Sequence, residues 1–170
     1  MTNFRLGYQG VLYYCATPLN GRPGDSPDPS NDFLDATWIE FDNVMDVDNQ
    51  FQSEKVDTTT RAEAKLGWAS EIQTIKSGVM TVTMRHKPGD TAFEAFRDAW
   101  LFGKEIALLD LDGPIDELGN SGLVGNFTLS YNFKKPVKGI MTVEVTASVS
   151  SYPNWVEVVT GPVLAAVTAS

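Results

Sequence analysis

The sequence predicts a mainly β domain, a β-sandwich or barrel of about eight strands with one flanking α-helix, a layout in which one helix covers an open end or flank of a sheet. Three patterns carry that prediction. Residues 122–150 alternate strictly between apolar and polar side chains, residues 79–85 do the same over a shorter span, and residues 90–103 show a lone helical period between strands.

Residues 122–150 read as two long strands with a short basic connection. In the first, Leu123, Gly125, Phe127, Leu129, Tyr131 and Phe133 face one way, and Val124, Asn126, Thr128, Ser130 and Asn132 face the other. In the second, Met141, Val143, Val145, Ala147 and Val149 alternate with Ile140, Thr142, Glu144, Thr146 and Ser148. One face is oily. The other is rich in hydroxyls and amides and carries a single charge, Glu144. A solvated sheet face ordinarily holds more Lys and Glu, so this pattern suits a sheet inside an assembly or a smooth wetted surface. An antiparallel sheet with one water-facing side is the plainer alternative. Lys134, Lys135 and Lys138 gather at the connection, where they keep a turn solvated or, in an assembly, meet an acidic loop of a neighbour.

Taken in order, residues 7–15 are rich in Tyr, Val and Leu and read as a strand apolar on both faces. Residues 17–31 hold Pro18, Pro23, Pro27 and Pro29 among Gly, Asp and Ser, which excludes helix and central strand and predicts a long surface loop. Residues 37–41 read as a short strand. Residues 42–61 keep no lasting period and predict a long functional or disordered loop, although Val44, Met45, Val47, Phe51 and Val56 give it apolar points for ordering against a partner. Two short strand pieces follow around Gly67 and Trp68, with a turn at Ser77–Gly78 before the 79–85 strand. Pro88, Gly89 and Asp90 break that strand. Thr91 and Glu94 then stand in capping-box spacing, Phe93, Phe96 and Trp100 form an apolar stripe suited to core packing, and Gly103 sits where a helix C′ residue belongs. Residues 104–111 read as a strand, residues 112–121 as a polar turn region, residues 155–159 as another strand and residues 163–167 as an apolar tail.

The length, 170 residues, fits a single domain over residues 1–170. The net charge of −9 disfavours a grip on a phosphate backbone and would let one slide past. Cys15 is the lone cysteine, so no intramolecular disulfide can form, and its apolar strand makes it a small buried hydrophobe. No apolar run reaches the roughly 18 residues of a membrane span, and residues 1–6 lack a secretory hydrophobic stretch. The expectation is a soluble chain made in a cytoplasm, with no membrane partner. His86, the single histidine, would have to serve any hydrolytic triad, yet no nucleophile elbow is present and nothing places Cys15 beside it. Asp46 with Asp48, and Asp110 with Asp112, lack the spacing of a calcium loop, and one His with one Cys is too few for a transition metal. Phosphate-binding glycine motifs are absent. The residues therefore predict no enzyme, no catalytic or metal residue and no cofactor.

The order of elements resembles the major tail tube proteins of long-tailed bacteriophages. The resemblance rests on Trp38-Ile39-Glu40-Phe41-Asp42-Asn43-Val44 followed by Val56-Asp57-Thr58-Thr59-Thr60-Arg61, on the helix at 90–103 flanked by strands, and on the Gly122-to-Phe127 opening of a strand with a long alternating return. It covers nearly the whole chain. It implies a fold shared with type VI secretion tube proteins, in subunits that form hexameric rings stacked into a hollow conduit. On that resemblance Asn126, Thr128, Ser130, Asn132, Thr142, Glu144, Thr146 and Ser148 line the lumen. A mobile loop over residues 42–61, with Val44, Met45, Val47, Phe51, Val56 and Arg61, orders against the next ring. The implied partners are further copies of the chain, a tape-measure protein, a tail terminator and baseplate or tail-tip proteins, with DNA passing through unbound, and the implied location is the virion tail. Two alternatives stand beside it. One is a monomeric β-sandwich module binding, for instance, carbohydrate on Trp38, Trp68 or Trp155, and the other is a ring at a tube end built on the same fold.

Overall fold

The computed structural model describes residues 6–20, 37–160 and 163–167. After a short 3-10 turn at Gly7–Gln9 come β1 (Val11–Cys15), β2 (Ile39–Glu40), β3 (Val44–Asp57), α1 (Arg61–Lys65), β4 (Glu71–Arg85), α2 (Thr91–Leu101), β5 (Ile106–Leu111), β6 (Ser121–Lys134), β7 (Thr142–Thr160) and β8 (Val163–Ala166). The strands form a single antiparallel sheet in the order β2-β1-β5-β6-β7-β4-β3, with β8 on β7. The mainly β class holds, and the sheet stays open rather than closing into a barrel.

β7 is the spine. Along one edge it pairs with β6 over most of its length, and along the other it carries β4 at Thr142–Ser148 and β8 further on. The sheet curls around α2. Met80, Val82, Met84, Phe127, Val143, Val145 and Ala147 close on Phe93 and Phe96 to make the main core. Tyr14 and Phe41 meet Phe96 with ring centroids 6.1 and 4.7 Å apart, contacts typical of packed aromatic pairs. A second core lies on the other face of β1, β5 and the start of β6, where Tyr13, Cys15, Ala107, Leu109 and Val124 pack with Val156, Val158 and Leu164. β1 and β5 are thus buried on both faces, which is why both read as continuous apolar runs.

Several local expectations are corrected. Residues 44–57, expected as an unstructured loop, are the strand β3, paired with β4 from Val44↔Met84 to Asp57↔Glu71. Its period was hidden because most of the strand is exposed on both faces, so no apolar alternation is required of it. Residues 61–65 are a short helix, and the Ser77–Gly78 turn lies inside the continuous β4. Gly78 is there for space. A Cβ at this position would sit 3.0 Å from the Phe51 ring and 3.1 Å from Val149. The N-cap of α2 is Asp90 rather than Thr91, its carboxylate accepting the Phe93 N–H at 3.3 Å, and Gly103 takes the positive φ of +61° expected of a C′ residue. Of the expected 17–31 loop, residues 21–31 lie outside the described residues.

Candidate assembly surfaces

The polar face of β6 and β7 extends across β4 to β3. Register aligns Ser130, Thr146, Thr81 and Asp48 in one row and Asn132, Glu144, Thr83 and Asp46 in the next. Lys134, Thr142 and Arg85 follow, and Thr128 and Ser148 stand at the other end. Lys134 pairs with Glu144 at 2.7 Å. The result is a hydroxyl-rich panel that carries charges of both signs, more than the lone Glu144 suggested, because the contribution of β3 was not visible in its sequence. Thr128, Ser130, Asn132, Thr142, Glu144, Thr146 and Ser148 all belong to it. Asn126 does not. It is 1% exposed, it holds the Leu19 peptide, and it donates to Ser151 Oγ at 3.0 Å. β6 keeps its alternation here, the added residues at the two register shifts lying on β7, so Asn126 is on the same side of the strand as Thr128 but is covered by Leu19 and Ser151.

The two edges of this panel lack partners among the described residues. β5 pairs with β6 only as far as Phe127, leaving the outer edge of 128–134 free, and β3 is the last strand on the other side. Free edges of this length are templates for another strand.

Beyond Phe51, β3 and β4 leave the body as a two-stranded arm with α1 at its tip. The tip carries its own polar contacts. Thr60 Oγ1 accepts the Glu63 N–H at 3.3 Å, the Thr60 N–H donates to Glu63 Oε2 at 2.8 Å, and Ser70 Oγ donates to Glu63 Oε1 at 3.0 Å. The Thr60 N–H first, then the Thr60 and Ser70 hydroxyls, hold the Glu63 carboxyl below its usual range. Leu66 and Trp68 project from the tip, 77% and 74% exposed.

At the root of the arm a cleft of about 900 Å³ lies between β3 and the β1–β5–β6 region. Val44, Met45, Val47 and Phe51 line it, as do Leu123 and Trp155. Among the described residues its charged lining is Glu40, Asp42, Asp46, Asp110 and Asp112, with Asp46 bordering it from the panel side of β3. Asn49 of β3 spans it, its Nδ2 donating to Asp110 Oδ2 of β5, while its buried Oδ1 has no partner among the described residues. Burial pushes the Asp110 carboxyl above its usual range; the Asn49 bond works against that shift and Asp112 adds to it. The set expected in a stacking loop is therefore divided. Val44, Met45, Val47 and Phe51 belong to the cleft, and Val56 and Arg61 to the arm.

The candidates for chemistry are separated. Cys15 is buried in the second core. His86 is half-buried at the rim of the main core, edge-on to Phe93 and Phe133 at 5.2 and 5.9 Å. Among the described residues no group of His, Cys, Asp and Glu is placed to hold a metal ion, and no helix is long and apolar enough to cross a membrane.

The architecture has solved counterparts. The SPP1 tail tube aligns with a TM-score of 0.67 at 13% identity, over 94% of this chain and 82% of that one. This chain has the tail tube fold. A subunit from the tail of an empty gene transfer agent particle, refined with C6 symmetry, aligns with a TM-score of 0.63 at 15% identity, over 89% of this chain and 98% of that one. A chain of the native gene transfer agent virion gives 0.61 at 15% identity over the same shares. No protein-family model and no curated protein matches the sequence. Identities this low relate the chains through backbone architecture, so the tail tube fold is what they share.

Proposed function

We propose that the chain is the structural subunit of a phage-type tail tube, a non-enzymatic virion component that assembles with copies of itself into sixfold rings stacked around a conduit. The observation that carries this reading is the panel of β6, β7, β4 and β3, polar on one face, packed on α2 by the other, and open at both edges, in a fold shared with tail tubes. Copies side by side would join the free 128–134 edge of β6 to the free edge of β3, a head-to-tail contact that closes into a ring when its rotation divides a full turn. The polar face would then line the channel. Hydroxyls and amides wet such a wall, and the acidic chain offers little to hold phosphates, so DNA and a tape-measure protein would pass without specific binding. Tail terminator and baseplate or tip proteins would cap the stack, in a virion tail built in the host cytoplasm.

Negative-stain electron microscopy of the purified chain across a concentration series tests the proposal. Uniform rings or hollow tubes of constant diameter are expected. Rings that never stack would favour a tube-end component, and a monomer at every concentration would overturn self-assembly as an intrinsic property of the chain.

A further inference from the structure

We propose that Asn49 and Asp110 form a proton-controlled clasp across the cleft, shut when the Asp110 carboxyl is protonated and released when it is ionised. The inference concerns the single chain and stands apart from any assembly of copies.

β3 and β5 are separated in the sheet by β6, β7 and β4, and only the curl of the sheet makes them facing walls of the cleft. Among the described residues the Asn49–Asp110 bond is the one hydrogen bond that crosses from β3 to β5. Apart from it, the body half of β3 is held by its ladder to β4 and by Val44 and Val47 against the main core. That ladder shifts at Val44/Asp46, at the root of the strand, an irregularity of the kind that lets a strand bend. A single polar contact thus ties two walls that can otherwise move apart.

The contact is incomplete while Asp110 is ionised. Asn49 Nδ2 donates to Asp110 Oδ2, and the buried Asn49 Oδ1 is left bare among the described residues. A carboxylate only accepts, so it has nothing to offer that oxygen. A protonated carboxyl can donate its O–H to Asn49 Oδ1 while its second oxygen accepts from Nδ2, a ring of two hydrogen bonds that satisfies both ends of the amide. The surroundings favour the same form. Burial is the first cause that holds the Asp110 carboxyl above its usual range, and Asp112 adds to it. Among the described residues the other charged groups lining the cleft are all acidic: Glu40 on β2, Asp42 after it, Asp46 from the panel side of β3, and Asp112 beyond β5, which accepts the Ser121 N–H. The lining from the 3-10 turn, β1, β6 and β7 carries no charge. Opening the cleft hydrates Asp110 and returns it toward ordinary acidity. The closed form therefore binds the proton more tightly than the open one, and by linkage the proton favours closure.

Paired spin labels test the clasp. Gln50→Cys on β3 and Leu118→Cys in the turn between β5 and β6 are both exposed positions. The doubly labelled chain is diluted into unlabelled chain so that only distances within one molecule are read. The 50–118 distance should lengthen by about 3 Å, room for one layer of water, as pH rises through the Asp110 midpoint, itself followed by NMR of the 13C-labelled carboxyl. Asp110→Asn, which pairs amide to amide and carries no charge, should keep the short distance at every pH. Asn49→Ala should lower the Asp110 midpoint toward the ordinary value, because the unclasped carboxyl is hydrated. A carboxylate that merely receives a bond from Nδ2 would shift the opposite way when that bond is removed. A distance indifferent to pH, a lengthening that persists in Asp110→Asn, or a midpoint that stays or rises in Asn49→Ala overturns the proposal.

Discussion

Asn126 holds both polar groups of Leu19. Its Oδ1 accepts the Leu19 N–H and its Nδ2 donates to the Leu19 carbonyl, each at 2.7 Å. One side chain thus does for Leu19 what a neighbouring strand would do, at the point where the chain leaves β1 with its side chain in the second core. Replacing Asn126 with Ala leaves both groups buried without partners and should cost about 1–3 kcal/mol. Thr128→Ala, on the exposed panel, should change stability by less than about 0.5 kcal/mol. Thermal or urea unfolding of the two variants checks the contrast, and equal losses would place Asn126 back on the panel.

Gly122 faces Asp110 so closely that a Cβ would lie 1.7 Å from its carbonyl oxygen. Gly122→Ala must push β5 and β6 apart, so its cost should reach or exceed the roughly 1–3 kcal/mol of ordinary overpacking. Gly78→Ala meets the movable Phe51 ring and Val149 instead and should cost less. Paired denaturation curves give the order, and a milder Gly122→Ala would contradict the β5–β6 register.

Phe96 is fully buried between Tyr14, Phe41 and the sheet. Phe96→Ala should lose about 3–5 kcal/mol, whereas Trp100→Ala, at the half-exposed end of α2 where it stacks on Tyr131 at 5.4 Å, should lose markedly less. Similar losses in chemical denaturation would mean that α2 is seated differently.

Asp110 gives a pH dependence of definite sign. Its folded pKa lies above the ordinary Asp value because burial disfavours the charged form. Its contribution to stability is thus fully present below the unfolded pKa, near 3.9, and is lost as pH rises through the raised folded value. Asp110→Asn keeps an acceptor for Asn49 and removes the charge. The variant should be more stable than the parent at neutral pH, with the difference shrinking as pH falls toward 4. Unfolding curves across that range check it, and a gap that widens on acidification would reverse the assignment.

What the sequence revealed follows from where burial enforces a pattern. Met80, Val82 and Met84, like Val143, Val145 and Ala147, alternate because one side of each strand faces the main core. The α2 stripe was legible for the same reason, with Asp90 in place of Thr91 as a one-residue slip between two good caps. β3 was illegible because most of it faces solvent on both sides and its ladder shifts at Val44/Asp46 and again at Ser53/Lys55. α1 is one turn long and buries no residue, so no periodic stripe marks it, although Thr60 and Glu63 carried a capping box in plain sight. Seven of the eight side chains expected on the polar face do share it. Asn126 was lost because the chain after β1 returns to cover it, a long-range contact that alternation cannot anticipate, and the cleft unites residues far apart in the chain, which no local pattern reveals.

The ladder between β3 and β4 continues from the body into the arm across its two register shifts, and β4 continues alongside β7. Its hydrogen bonds lie across the strands. A pull along the arm therefore loads many of them together, in shear, and cannot open them one at a time. Tension applied at Trp68 would pass from β4 into β7, so the arm resists a lengthwise pull far better than it resists peeling from one edge.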